Sequence, residues 1–380
     1  MGKVTTYCQI SGCSPEVEYM LEIDINYLSD NTDDVSEAQK KDRGKVREAI
    51  KLLATEDEKE GTQALSIIGP FDDDNSPIWQ FEENPTNLDE ILAEAEGRVR
   101  ELPGCRMGDA FDMGCCEGPN GDDDDILVSY GGYFFVQTNM LAILVGATQG
   151  RVSVQRLWRL AMIKGYYDPH NYSVLPGVDY GPISNYLEQF PWVLGDMTQE
   201  ELPSLGSIGS AKEIAELLRK RGFWMWMRPD RFPVDLLATP QQTTKITEES
   251  ISERLSYRGI SKLPPEIVRS IALELNIRDI ITLATINRLL YYRLLGNPET
   301  RDSLSKAYIH KHARWCLPYG ETELKWWNER RGNDAIGWDY LRRCLSKSHS
   351  MRNRRRIWRA AESIEEECER EEAKLEIVRE

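Results

Sequence analysis

Eight cysteines, four histidines and several runs of aspartate are the residues of this 380-residue chain that can do chemistry. Cys8 and Cys13 can supply two of the four thiolates that structural zinc takes, with Cys105 or the Cys115–Cys116 pair as the remaining source. The spacings are loose, and adjacent cysteines do not easily both face one tetrahedral metal. No metal or other cofactor is therefore expected. Cys8, Cys13, Cys105, Cys115, Cys116, Cys316, Cys344 and Cys368 read as reduced thiols, because no secretory signal precedes them. Asp72–Asp74 and Asp122–Asp125 offer oxygen ligands, but without the Gly and Glu spacing of a calcium loop they read as solvated acidic loops. Gly206-Ser-Ile-Gly209 resembles half of a phosphate-cradling loop, but without a Lys, a third Gly or a preceding strand it reads as a Gly-rich turn into a capped helix. His170 stands among tyrosines, and no Gly-x-Ser-x-Gly motif is present. No acid, base and nucleophile come together, so no enzymatic activity is expected.

A different pattern appears between Leu263 and Leu295. Leu263-Pro264-Pro265 fixes extended backbone, and proline is favoured at the first helical position, where its missing N–H costs nothing. Ile267, Ile271 and Leu275 then recur every four residues and share one helical face. Asn276 to Arg278 break the pattern. Asp279 is expected to cap a second helix carrying Ile280, Leu283, Ala284 and Leu290, and a third is expected to restart at Pro298.

This order of features resembles the F-box, the short helical module that docks substrate receptors onto the Skp-type adaptor of a cullin-RING ubiquitin ligase. Leu263, Pro264, Glu266, Ile267, Ile271, Leu275, Asp279, Ile280, Leu283 and Leu290 carry the resemblance. The chain departs from it at Pro298-Glu299, where Thr300 and Arg301 follow in place of the usual tryptophan. The segments Ala313-Arg-Trp-Cys-Leu-Pro318, Trp338-Asp-Tyr-Leu-Arg-Arg-Cys344 and Ser350-Met-Arg-Asn-Arg-Arg-Arg-Ile-Trp358 are similar to the tails of uncharacterised fungal F-box proteins with an acidic N-terminal region and an internal F-box. Relatives in that group start with a tighter Cys-x-x-Cys, and carry His and Cys where this chain has Gln137 and Met140. The resemblance implies a non-catalytic substrate receptor with an unknown protein target. It also implies an adaptor-binding set of Leu263, Pro264, Glu266, Ile267, Ile271, Leu275, Ile280, Leu283 and Leu290. The alternative is an interaction or structural protein whose degenerate F-box no longer binds the adaptor.

Composition fits a globular protein of two or three domains, with 41% hydrophobic and 29% charged residues. The net charge of −16 is unevenly spread: residues 1–150 carry −20, 151–250 carry −1, 251–360 carry +11 and 361–380 carry −6. The acidic half argues against nucleic acid, whose phosphates need clustered Lys and Arg. The basic segment suits an acidic protein partner. No signal peptide is visible, and the uncharged run Ile126–Gly150 carries Gly131-Gly132 and Gln137-Thr138-Asn139 at its centre. It reads as a buried strand and helix, not a membrane span. The chain is expected in the cytoplasm and/or nucleus.

The elements follow from periodicity and capping. Helices are expected from Ser14-Pro15 to Leu21, from Ser36 towards Leu53 (stripe Val46, Ile50, Leu53), and from Asn87 to Leu102. Others run over Val152–Ile163 and from the capping box Ser210–Glu213 to Leu218. Ala64–Ile68 reads as a strand ended by Gly69-Pro70, Pro103–Asp125 as an exposed loop, and Tyr166–Pro191 as a long ordered loop. Phe223–Met227 reads as an apolar strand or core plug, and Thr239–Lys245 as a linker. Leu304–Trp315, Tyr340–Leu345 and Arg352–Arg379 complete the helices. Arg352–Arg359 is a possible nucleic-acid patch, but internal pairing or solvent is the stronger reading. Ile357, Ile364 and Val378, with Ala361, Cys368 and Leu375, favour packing of the last helix on the domain or weak self-association over a free tail. The class is α+β, mainly α-helical: an acidic mixed α/β region (1–240, substrate-facing or regulatory), a three-helix F-box (258–303) and a helical C-terminal region (304–380).

Overall fold

The computed structural model describes residues 7–13, 36–58, 64–79, 87–107, 115–118, 126–127, 132–166, 174–185, 206–234, 259–331 and 336–379. The helix expected from Ser14, the acidic run Asp122–Asp125, His170 and the linker Thr239–Lys245 lie outside them. The fold is α+β and mainly α-helical. It divides into two compact units, unit 1 being Met1–Pro229 with Arg352–Glu380, and unit 2 being Asp230–Met351. Among the described residues no helix is long and apolar enough to cross a membrane.

Unit 1 is built on a five-stranded antiparallel sheet of β1 (Leu65–Pro70), β2 (Val99–Met107), β3 (Cys115–Glu117), β4 (Ile126–Leu127) and β5 (Phe134–Gln137), ordered β4-β3-β2-β1-β5. Every residue of β1 is buried. The strand runs on through Gly69 and Pro70, which were expected to end it. Gly69 pairs with Arg100 and lies under the Tyr133 ring, where a Cβ would collide, and Pro70 closes the ladder opposite Val99.

Two expectations fail together here. The helix expected over Asn87–Leu102 covers only α2 (Leu88–Glu94, with α1 being Glu37–Glu58), because Gly97 at φ +74° turns the chain back. Residues from Pro103 on, expected as a loop, continue β2. Pro103 pairs with Ser66 and Cys105 with Leu65, leaving Gly104 (φ +81°) as a bulge. A glycine bulge is one of the few strand settings that admits proline, so Pro-Gly here bends a strand.

The remaining elements of unit 1 lie close to expectation. In α1, Val46, Ile50 and Leu53 are fully buried; burying each such side chain is worth about 1.5–3 kcal/mol. β5 feeds directly into α3 (Thr138–Thr148), the uncharged strand–helix run. Ser153 caps α4 (Val154–Ile163), which buries Leu157, Leu160 and Ala161. The Ser210–Glu213 capping box opens α5 (Ala211–Arg221), and Phe223–Met227 is buried as a core plug that begins with a 3-10 turn over Phe223–Met225, not a strand.

Unit 2 holds α6 (Pro265–Leu273), α7 (Ile277–Thr285), α8 (Arg288–Tyr291), α9 (Pro298–His312), α10 (Gly320–Arg331) and α11 (Trp338–Ser346). α9 crosses the boundary expected at 303/304. α12 (His349–Arg379) belongs to unit 1 from Arg352 onward, so the C-terminal region is divided between the units.

Polar contacts explain that assignment. Arg354 is fully buried and donates to Pro229 O at 3.2 Å, and Asn353 Nδ2 donates to Met227 O at 2.6 Å. Arg352 stacks 4.1 Å from the Trp224 ring centroid. Further along, Arg151 pairs with Glu365, Arg156 with Glu372 at 2.7 Å, and Lys164 with Glu367 at 2.9 Å and Glu371 at 2.6 Å. Gly177, at φ +90°, leaves room for the Glu367 carboxylate.

Two outcomes are expected. A chain ending at Met351 loses the ordered unit 1, measured as lost near-ultraviolet dichroism and rapid proteolysis of residues 1–229. A chain that keeps its N-terminal unit in native form would contradict this. The second concerns pH. Hydrogen bonds from Lys164 and Lys374 hold Glu371 below the ordinary 4.5, and those from Arg156 hold Glu372 below it. Burial pulls the Lys164 ammonium down, but Glu371 and Glu367 outweigh it and hold it above 10.5. The carboxylate contribution is present above pH 4.5 and lost as pH falls through the depressed values. The lysine contribution is complete below pH 10.5 and fades above it. Lys164→Met costs about 3 kcal/mol, the low end for a broken buried pair, because Arg370 and Lys374 still reach the same carboxylates. Denaturant unfolding at pH 7 and pH 4 should show the difference between the two proteins shrinking with acid.

Candidate docking surface

Pro264 is extended (φ −54°, ψ 146°) and Pro265 opens α6, with Val268 N–H donating to Pro264 O at 3.1 Å. Val268 and Ala272, four residues apart, turn inward and are fully buried. The expected row lies on the other side: Leu263 is 36% and Ile267 47% exposed, and Ile271 and Leu275 are half-buried. Pro264 and Glu266 are exposed. Arg293 Nη1 donates to Leu263 O at 3.0 Å, fixing the entry to the helix.

α7 is capped by Asn276, not Asp279. The Asn276 side chain accepts from Asp279 N–H at 3.0 Å and donates to the Asp279 carboxylate at 2.6 Å. Asp279 occupies the first turn, where a negative charge meets the positive end of the helix dipole. Ile280, Leu283 and Ala284 face inward. Leu290 sits on α8, a separate turn that Asn287 caps by accepting from Leu290 N–H at 2.9 Å. A π-turn over Tyr292–Gly296 follows, and Asn297 then caps α9. At the other end of α6, Lys311 pairs with Glu274 at 2.5 Å, and His312 bonds Leu273 O at 2.6 Å.

The nine expected contact residues therefore divide. Leu263 and Pro264 lie at the entry to α6, and Glu266, Ile267 and Ile271 lie on it, but the helix ends at Leu273, so Leu275, expected on the same helical face, falls beyond it. Ile280 (1% exposed), Leu283 (8%) and Leu290 (0%) are core, joining these helices to one another. Three exposed apolar side chains went unrecognised: Ile281, Ile286 and Tyr291, the last two at 63% and 49%. The helical stripe placed Ile280 and Leu283 and gave no reason to select their neighbours. Five of the nine exposed large apolar side chains among the described residues fall between Leu263 and Tyr291, which marks this stretch as unusual.

The other candidates are occupied by their own structure. Asp74 accepts from Ser76 N–H at 3.0 Å, which holds its carboxyl below the ordinary value, and Asp72 meets Arg98 at 3.3 Å. At Gly206–Gly209 the following helix N-terminus is filled by the Glu213 carboxylate, bonded to Ser210 N at 2.8 Å. Cys105 donates to Leu102 O, and burial pushes its thiol up to about 11. Among the described residues, no group of three or more His, Cys, Asp or Glu is placed to hold a metal. No family model, curated protein or solved structure matches this chain.

Core and surface roles predict opposite responses to truncation. Leu290→Ala and Ile280→Ala should each cost about 2–5 kcal/mol in denaturant unfolding. Ile267→Ala and Ile286→Ala should stay within about 0.5 kcal/mol. Equal losses at all four positions would mean that the outer face is not a free surface.

Proposed function

We propose that this chain is a non-catalytic substrate receptor that docks through its F-box-like segment onto the Skp-type adaptor of a cullin-RING ubiquitin ligase. One observation carries the reading: Leu263 and Ile267 are exposed and Ile271 and Leu275 only half-buried, while Val268, Ala272, Ile280, Leu283 and Leu290 supply the core of the unit. An apolar row that its own unit covers only in part suits a partner helix or groove. The acidic N-terminal region is the target-facing or regulatory part, and the protein acts in the cytoplasm and/or nucleus. Charge contributes little to docking in this reading. Asp230–Met351 carries nineteen Lys and Arg against fifteen Asp and Glu, a surplus of four.

A second reading rests on Thr300 and Arg301, which follow Pro298-Glu299 where the F-box pattern has tryptophan. In that reading the chain is an interaction or structural protein that no longer engages the adaptor.

Co-purification separates the two. Wild-type chain should retain the adaptor, and Ile267→Asp with Ile271→Asp should lose it by about tenfold or more, with far-ultraviolet dichroism of the double variant recorded first, since Ile267 is exposed and Ile271 half-buried. Wild-type protein that captures no adaptor, or a folded double variant that captures it at full yield, refutes the docking assignment.

A further inference from the structure

Cys8 and Cys13 close a tight turn in unit 1. Cys8 N–H donates to Cys13 O at 2.9 Å and Gly12 N–H to Cys8 O at 2.7 Å, with Gly12 at φ +69°. This is a three-residue turn over Gln9–Ser11 followed by a glycine bulge, the form that sets flanking residues opposite each other. Opposed residues of this kind hold Cβ atoms about 4.5–5.5 Å apart. Both cysteines meet one serine: Ser11 N–H donates to Cys8 Sγ at 3.4 Å, and Cys13 N–H donates to Ser11 Oγ at 3.1 Å, while the Cys13 thiol donates to Met225 O at 3.2 Å. Two further N–H groups aim at sulphur, from Gln137 N to Cys8 Sγ at 3.4 Å and from Arg356 Nη2 to Cys13 Sγ at 3.3 Å. The cysteines are 0% and 3% exposed.

A second observation concerns charge. Arg356 is 6% exposed and donates to Ser11 O at 2.6 Å, Tyr180 O at 3.2 Å, Asn353 Oδ1 at 2.9 Å and Cys13 Sγ. None of these partners is a carboxylate. A buried cation without an anion is costly, and among the described residues Cys13 is the ionisable acid bonded to this guanidinium.

We propose that the Cys8–Cys13 turn is a two-thiolate site for a soft monovalent cation of the copper(I) class, with Arg356 as its counter-charge. Thiolates select soft ions. On binding, each thiol releases its proton to solvent. The cation with two thiolates carries one net negative charge, and the guanidinium brings the buried site to zero. The N–H groups of Ser11 and Gln137 then bond thiolate sulphur, as outer-shell donors do at metal sites. Zinc needs two more ligands. Next to Cys8, Gln137 offers an amide already bonded to Ser11 Oγ at 3.1 Å. The inference stands apart from the docking reading, since it concerns unit 1 alone.

The test uses the full chain, reduced and free of oxygen, equilibrated overnight with copper(I) against a chromophoric copper(I) chelator. Wild-type protein should retain one equivalent that Cys8→Ser and Cys13→Ser each lose, whereas Cys105→Ser and Cys344→Ser keep it. X-ray absorption of the bound copper should show two sulphur neighbours. The assignment is overturned if Cys8→Ser and Cys13→Ser bind as much copper as wild type. It is also overturned if wild type retains none, or if the purified chain holds stoichiometric zinc that these variants release.

Discussion

A charged group taken out of water has to be met by acceptors of the right kind, and in unit 1 that requirement fixes where the last helix goes. Arg354 and Arg356 are buried among backbone carbonyls of the Ser11 turn, Tyr180 and Pro229. Glu365, Glu367, Glu371 and Glu372 meet Arg151, Lys164 and Arg156, which flank or lie on α4. These contacts are directional, so they set the rotation and register of α12 more sharply than apolar burial of Ile357, Ala361, Ile364 and Cys368 alone would. A helix slid by one turn would keep much of its greasy stripe and strand both sets of charges.

The same arrangement changes what the charge distribution means. Along the sequence, basic residues surround the Leu263–Leu295 segment, with acid at either end. In space, the five arginines from Arg352 to Arg359 belong to the unit that also holds the acidic first half, and two of them are internal. Unit 1 thus stays strongly acidic, and only a small basic excess is left to unit 2. Any partner of unit 2 meets a nearly balanced surface whose distinguishing feature is exposed Leu263, Ile267, Ile281, Ile286 and Tyr291.

Helical stripes and caps were legible because they are local: Val46, Ile50 and Leu53, the Ser210–Glu213 box and the Leu-Pro-Pro entry to α6 each depend on residues within one or two turns. Strand β2 was not legible. Its identity depends on pairing with β1 some thirty-five residues away, and its Pro103-Gly104 bulge carries the chemistry of a loop. The outer row of α6 could be read from its spacing, but spacing alone could not say which of two apolar faces turns inward. Val268 and Ala272 decided that by being small enough for close packing. The burial of Ile280, Leu283 and Leu290 likewise depends on how α6 to α9 meet, which no single helix encodes. The partners of Cys8 and Cys13 come from β5, the Phe223–Met225 turn and α12, so their setting is invisible at the level of motif.

Because unit 1 takes its first 229 residues from one end of the chain and its closing helix from the other, the order of synthesis matters. A ribosome finishes the sheet and its flanking helices long before it makes Arg352. At about 5–20 residues per second, translating Asp230–Met351 takes on the order of ten seconds. Throughout that interval the surface destined for α12 is without its cover, with Lys164 and the Cys8–Cys13 turn reachable from outside. Unit 2 meanwhile has all of its own residues and can fold as it emerges. The chain thus has a built-in window in which chaperones, proteases or small solutes can reach groups that the finished protein hides.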